Sequence, residues 1–137
     1  MTNDLKERTK RFALDVLCYC SVLPAKPEFR VISSQLMRAG TSVGANYRAA
    51  CRSKSKADFI NKLSIVEEEA DESEYWFELL ENLSSANNPE LLRLKNEASQ
   101  LVAIMVQSKK TARSLDKPIK VERLPDSPFE IRNSKFS

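Results

Sequence analysis

Histidine is absent from this chain of 137 residues, and its absence removes several kinds of catalytic site at once. Without an imidazole there is no Ser/His or Cys/His nucleophile, no histidine-ligated metal and no Glu-x-x-His di-iron motif. Cys18, Cys20 and Cys51 are too few for a four-cysteine zinc site and lack the spacing of a disulfide framework, so reduced thiols are expected. We therefore predict that the protein is not an enzyme and has no catalytic residue, metal or cofactor.

Glycine is almost as rare, and both glycines, Gly40 and Gly44, lie within one predicted helix. That placement excludes a glycine-rich phosphate loop. Each glycine costs about 1 kcal/mol relative to alanine inside a helix, so a compensating contact is expected. On a helical wheel both lie among small side chains at the edge of the apolar stripe. This position predicts close packing by another helix, either from the same chain or from a neighbouring subunit.

Long apolar runs are missing as well. No stretch approaches the roughly 18 uninterrupted apolar residues that a membrane-spanning helix needs. The N-terminal sequence MTNDLKERTKRF carries charge without an apolar region behind it, so no secretory signal is expected. These features predict a cytoplasmic protein that does not enter a membrane.

The sequence does contain four amphipathic stretches, in which apolar residues recur every three or four positions. Pro24 and Pro27 separate the first two stretches, and Asn88 with Pro89 marks the start of the fourth. The predicted helices are 3–23, 28–53, 56–84 and 89–115. Because short connections between long helices favour antiparallel neighbours, residues 1–116 are predicted to form an all-α, up-down-up-down four-helix bundle.

Residues 117–137 contain three prolines and no helical period, which predicts an extended or disordered tail. The tail is nevertheless rich in apolar side chains. Docking along the bundle or on a neighbouring subunit therefore remains an alternative to disorder.

Charge is unevenly distributed between the helices. In residues 24–56 the only acidic side chain is Glu28, whereas in residues 57–88 the only basic one is Lys62. Arginine pairs well with phosphate, so the basic region is a candidate nucleic-acid surface. The alternative is that these are solvated faces that attract each other within a bundle or between subunits. The candidate phosphate-binding residues are Arg38, Arg48, Arg52, Lys54 and Lys56, with Lys109, Lys110 and Arg113 as a second patch.

Two helices carry more apolar surface than a single core requires. A second apolar patch on the third helix and another on the first favour a subunit interface, in which Trp76 is a typical anchor. The alternative is that wide apolar stripes serve a wide core. The candidate interface residues are Leu14, Cys18, Gly40, Gly44, Ile65, Trp76, Leu79 and Leu83, and the predicted partner is a second copy of the chain.

Residues 33–83 carry two motifs that together resemble a known family. The second helix reads Arg-x-Gly-x-Ser-x-Gly-Ala-Asn-Tyr-Arg from Arg38, and the third reads Glu-Tyr-Trp-x-Glu-Leu-Leu from Glu74. The combination is similar to the bacterial four-helix-bundle proteins of intervening sequences within 23S ribosomal RNA genes. The similarity extends over roughly residues 5–115 and leaves the tail unmatched.

The resemblance implies a homopentameric ring of bundles in the cytoplasm, without a settled biochemical activity. Relatives with a similar fold include the accessory proteins of diversity-generating retroelements, which resemble basic pentamers that engage a reverse transcriptase and nucleic acid. By analogy we expect a non-enzymatic oligomer that binds RNA or DNA weakly and without reading sequence, with a nucleic-acid enzyme as a further partner. The alternative is a protein-interaction scaffold or structural oligomer with no nucleic-acid role. Fold analogy alone does not establish function.

Overall fold

Prolines and polar caps set the boundaries of the helices. The computed structural model describes residues 4–83 and 88–115, and every regular element in these ranges is an α-helix. The helices are α1 (Asp4–Cys20), α2 (Pro27–Cys51), α3 (Lys56–Leu83) and α4 (Pro89–Arg113). The all-α prediction is therefore confirmed. Position 84, the first three residues and the predicted tail 117–137 lie outside the described residues.

The first helix ends three residues earlier than predicted. After Cys20 the chain forms a turn, in which the amide of Leu23 donates to the carbonyl of Cys20 at 3.3 Å. The reason is that Pro24 disfavours the α conformation at the residue before it. The fourth helix begins as predicted, because the Asn88 side chain accepts hydrogen bonds from the amides of Glu90 and Leu91 at 2.9 and 3.4 Å.

Neighbouring helices run antiparallel. The second helix packs against α1 and α3, α4 packs against α3, and a smaller contact between α1 and α4 closes the bundle. As a result α1 and α3 lie diagonally opposite each other, and their rings meet across the core, where Tyr19 and Phe77 have centroids 6.1 Å apart. The largest fully buried side chains include Phe12, Phe59, Phe77, Leu36, Leu63, Leu94, Leu101 and Met105.

The two glycines lie where α1 crosses α2. A Cβ atom on Gly40 would stand 2.9 Å from a methyl carbon of Val16, and one on Gly44 would stand 3.2 Å from the carbonyl oxygen of Thr9. Both positions therefore need glycine for the close approach of these helices. The predicted neighbouring helix belongs to the same chain, so we remove Gly40 and Gly44 from the candidate subunit interface.

Replacing Gly40 by alanine is expected to lower the free energy of unfolding by about 1 kcal/mol. Overpacking a filled core costs about 1–3 kcal/mol, and the better helix propensity of alanine returns about 1 kcal/mol. Val16 cannot move aside easily, because it is fully buried and β-branched. Urea unfolding measures the change. The reciprocal control Ala45→Gly, at an exposed site on the same helix, gives the propensity term alone. A Gly40→Ala variant that is more stable than the parent would contradict the packing role.

Candidate nucleic-acid interface

Arg38 belongs to an ion-pair network that joins α2 to α3. Its guanidinium donates to Glu69 at 3.2 Å and to Glu72, and the hydrogen bond with Glu72 is the main cause that raises the pKa of Arg38. Glu72 also accepts from the indole nitrogen of Trp76 at 3.0 Å. The side chain remains exposed, but its donors already face carboxylates. Arg38 therefore fits the alternative interpretation, in which opposite charges attract within one bundle.

Two further candidate cations are also engaged inside the molecule. The ammonium group of Lys109 lies 2.7 Å from a carboxylate oxygen of Glu67 and donates to the Ser64 hydroxyl at 3.1 Å, which ties α4 to α3. The ammonium group of Lys56 donates to the carbonyl of Leu115 at 2.7 Å, just past the end of α4. A lysine that binds the last carbonyls of a helix stabilises that end.

The remaining candidate cations are exposed, and none of their charged groups has a hydrogen-bond or ion-pair partner among residues 4–83 and 88–115. They come from two parts of the chain, the end of α2 with its following loop and the last turn of α4. The antiparallel arrangement brings both parts to one end of the bundle, and the contact of Lys56 with the end of α4 fixes their proximity. We call this surface the basic end, and it consists of Arg48, Arg52, Lys54, Lys110 and Arg113.

The structure places a further cation, Lys10, next to the basic end. A Cβ atom on Gly44 would lie 3.6 Å from the Cα atom of Lys10, so that Lys10 sits one helical turn from Arg48 on the neighbouring helix. Lys10 and the adjacent Arg11 are both exposed, and so is Glu7 one turn earlier. Sequence reasoning missed them because charge was assigned helix by helix. The glycine at position 44 was the available signal, because it indicated that another helix approaches α2 closely near Arg48.

Two carboxylates of α3 near the basic end, those of Asp58 and Glu67, are paired with lysines of the same molecule. Asp58, in the first turn of α3, accepts from the Lys62 ammonium at 3.0 Å, and this hydrogen bond lowers the pKa of Asp58. About two and a half turns further along α3, Glu67 is held by Lys109. Because these carboxylates are paired, they compensate little of the charge on the five cations of the basic end.

Ion pairs elsewhere hold helices together. Arg8 of α1 forms a two-point contact with Glu97 of α4, with distances of 2.6 and 2.9 Å, and the hydrogen bond with Glu97 raises the pKa of Arg8. Between α3 and α4, Lys95 donates to Glu81 at 2.8 Å. Such exposed pairs each contribute at most about 1 kcal/mol. Arg8 and Lys95 are therefore structural cations, in contrast to the cations of the basic end, which have no partner among the described residues.

The predicted interface residues fall into two apolar surfaces. The first, the α1 strip, consists of the exposed Leu14, Leu17 and Cys18. The second, the α2/α3 patch, contains the exposed Val31, Tyr75 and Leu83 and the half-buried Trp76 and Leu79. Trp76 and Leu79 also pack against the core, so the wide-core alternative holds in part for them. Ile65 is half-buried on the same side of α3.

These two surfaces point to different sides of the bundle. The pairing of Arg38 with Glu69 and Glu72 sets the register between α2 and α3. Val31 lies two turns before Arg38 and Trp76 lies two turns after Glu69, so that Val31 and Trp76 are level in the antiparallel pair. The α1 strip lies on the outer face of the diagonally opposite helix. Each bundle therefore presents two distinct apolar surfaces.

Two other kinds of site, a membrane span and a metal centre, are absent from the described residues. Among them, no helix combines the length and apolar character that crossing a membrane requires. Within the same ranges there is no cluster of three or more histidine, cysteine, aspartate or glutamate side chains suited to a metal ion. The cysteines are free thiols, and burial raises the pKa of Cys20 to about 11.

Comparisons with known proteins agree with the two sequence motifs. Residues 1–107 match the family described as 23S rRNA-intervening sequence protein. Among solved structures, the chain is 34% identical to a protein of unknown function from the S23 ribosomal protein family of Bacteroides thetaiotaomicron, with a TM-score of 0.71. The match covers 77% of this chain and 98% of that one. The comparison with curated proteins gave no match. The resemblance is confirmed, and the chain belongs to the 23S rRNA-intervening sequence protein family.

Proposed function

We propose that this protein is a non-enzymatic, cytoplasmic oligomer that binds RNA or DNA weakly, without reading sequence, through the phosphate contacts of its basic end. The observation that carries the proposal is the difference between the candidate cations. Arg38, Lys56 and Lys109 have partners inside the bundle, whereas the cations of the basic end are exposed and their charged groups have no partner within residues 4–83 and 88–115. Unpaired arginines and lysines are the groups that neutralise phosphates and release counterions.

Assembly is the second part of the proposal. A net charge of +3 is small for a nucleic-acid-binding protein, so one subunit offers a weak field. We propose that the α1 strip of one subunit packs on the α2/α3 patch of the next. Contact between two different surfaces is heterologous, and it generates a ring when the rotation closes. Five copies is the number that the family resemblance implies.

A ring of this kind would place every basic end on the same rim, because cyclic symmetry keeps the subunits side by side in one orientation. The rim would then present the cations of all subunits together, and their summed field would exceed that of a monomer several-fold. Weak individual phosphate contacts would add through effective concentration along one nucleic-acid chain. A nucleic-acid enzyme bound to the same strand or duplex is the further partner that this arrangement suits.

The proposal predicts strongly salt-dependent binding. Fluorescence anisotropy of a labelled duplex of about 20 base pairs is expected to show a log–log salt slope of about −0.9 for each phosphate contacted. Five contacts from one subunit would give a slope of about −4.5, and affinity would fall by more than a hundredfold between about 50 and 200 mM salt. A nucleic acid of unrelated sequence is expected to bind equally well. Absence of binding to any RNA or DNA at 50 mM salt would contradict the proposal.

The exposed apolar surfaces favour a second candidate, a protein-interaction scaffold without a nucleic-acid role. In that case the basic end would serve only solubility and helix-end stabilisation, since cations are favourable at helix C-termini. The same titration separates the two candidates, because a scaffold would show no binding while retaining its oligomeric mass.

A further inference from the structure

Among residues 4–83 and 88–115, no exposed aromatic ring lies beside the cations of the basic end. The aromatic side chains closest to it along the helices are Tyr47, near the end of α2, and Phe59, in the first turn of α3. Both are core residues, with exposures of 3% and 1%. Among the described residues, the exposed Tyr75 and the half-buried Trp76 lie about 28 Å along α3 from Lys56, and the half-buried Phe29 lies near the start of α2 at the opposite end of the bundle.

Stacking on exposed rings is a major source of affinity for single strands. Proteins that hold single-stranded nucleic acid combine a basic groove with aromatic platforms, and each stacked base strengthens binding considerably. The aromatic rings near the basic end are inside the hydrophobic core and cannot serve as such platforms without unfolding. Within the described residues, binding at this end therefore depends on phosphate contacts.

A duplex is the better target for binding of that kind. Its two strands place one negative charge every 1.7 Å or so along the axis, and the counterion term per neutralised phosphate is larger than for a single strand. Arg48 lies on the exposed side of α2, and Arg52 is the C-cap residue that directly follows the helix, with its amide bound to the carbonyl of Ala49 at 3.0 Å. Fixed cations suit a stiff backbone better than a flexible one, because less order has to be imposed on binding.

We infer that the ligand of the basic end is the phosphate backbone of a double-stranded nucleic acid and not a single strand. This inference rests on the proposed function. Duplex RNA and duplex DNA share the phosphate chemistry, so that both are candidates and must be measured separately. The expected preference follows from the salt exponents, about 0.9 per phosphate for a duplex and about 0.7 for a strand. With five contacts the two exponents differ by about one, so that forms which bind equally at about 1 M salt differ by roughly an order of magnitude at 50 mM, in favour of the duplex.

The test uses the full-length protein and anisotropy at about 50 mM salt, with an RNA duplex, a DNA duplex and the unpaired strands of each. We expect each bound duplex to exceed its own strands about tenfold in affinity, and the difference to shrink as salt rises. The RNA and DNA arms identify which duplex is preferred. Strands that bind as tightly as the duplexes, or more tightly, overturn the inference and leave the proposed function intact. If neither form binds, the proposed function itself fails.

A thermal measurement provides an independent readout. A protein that binds the duplex in preference to its strands raises the melting temperature of that duplex, whereas one that prefers strands lowers it. We expect excess protein to raise the melting temperature. The matched variant Lys26→Glu/Arg30→Glu, which alters two cations at the opposite end of α2, is expected to retain this effect. A fall in melting temperature with the parent protein would overturn the inference.

Discussion

Replacing both Arg48 and Arg52 by glutamate is expected to weaken nucleic-acid binding about a hundredfold at 50 mM salt. Each lost phosphate contact accounts for about tenfold at this salt concentration, and the log–log salt slope should become shallower by about two. Both side chains are exposed and bind nothing within the described residues, so the fold should be unaffected. Anisotropy titrations give the affinity, and circular dichroism melting confirms that the variant folds.

The matched control is Lys26→Glu/Arg30→Glu. It makes the same change in net charge on the same helix, but at the end where α2 begins. Both residues are exposed, and the Arg30 guanidinium has only a surface contact with the carbonyl of Ala25 at 3.2 Å. If binding depends on the basic end, the control keeps most of its affinity. Equal losses in the two variants would show that net charge alone is responsible, and would contradict the assignment of the site.

Replacing Leu14 by glutamate is expected to dissociate the assembly. Leu14 belongs to the α1 strip, and in the proposed ring every subunit contact would contain one copy of it. Burial of a leucine contributes about 1.5–3 kcal/mol, and a carboxylate buried without a partner costs several more. Light scattering should therefore report the mass of a single chain, 15.6 kDa, where the parent gives a multiple of it.

Leu92→Glu is the matched control for this prediction. Leu92 and Leu14 are both 44% exposed, but Leu92 lies on α4, outside the α1 strip and the α2/α3 patch. It should retain the parent mass. Thiol labelling adds a second readout, since Cys18 would be covered in the ring and become reactive in the Leu14→Glu variant. A monomeric parent protein, or dissociation by Leu92→Glu and not by Leu14→Glu, would contradict the proposed interface.

The helices were predictable because their causes are local. Apolar residues at heptad-like spacing define four stripes, and Pro24, Pro27 and Pro89 act within one or two residues of themselves. The predicted end of α1, at residue 23, was three residues too far along the chain. Pro24 already restricts Leu23, so the helix cannot extend to that position.

The charge pattern was only partly informative. The sequence identified Arg38 and Arg48 as equivalent candidates for phosphate binding, but in the fold Arg38 binds two glutamates, whereas Arg48 binds none within residues 4–83 and 88–115. The difference depends on the register of α2 against α3, which the sequence does not encode in any short motif. Lys10 was missed for a related reason, because its proximity to Arg48 follows from the crossing of α1 and α2.

The most direct measurement of the central claim is lysine acetylation footprinting with and without saturating duplex. Lys54 and Lys110 belong to the basic end, while Lys26 is an exposed lysine at the opposite end of the bundle. We predict that bound nucleic acid protects Lys54 and Lys110 and leaves Lys26 as reactive as before. Protection of Lys26 with unchanged reactivity of Lys54 and Lys110 would contradict the account.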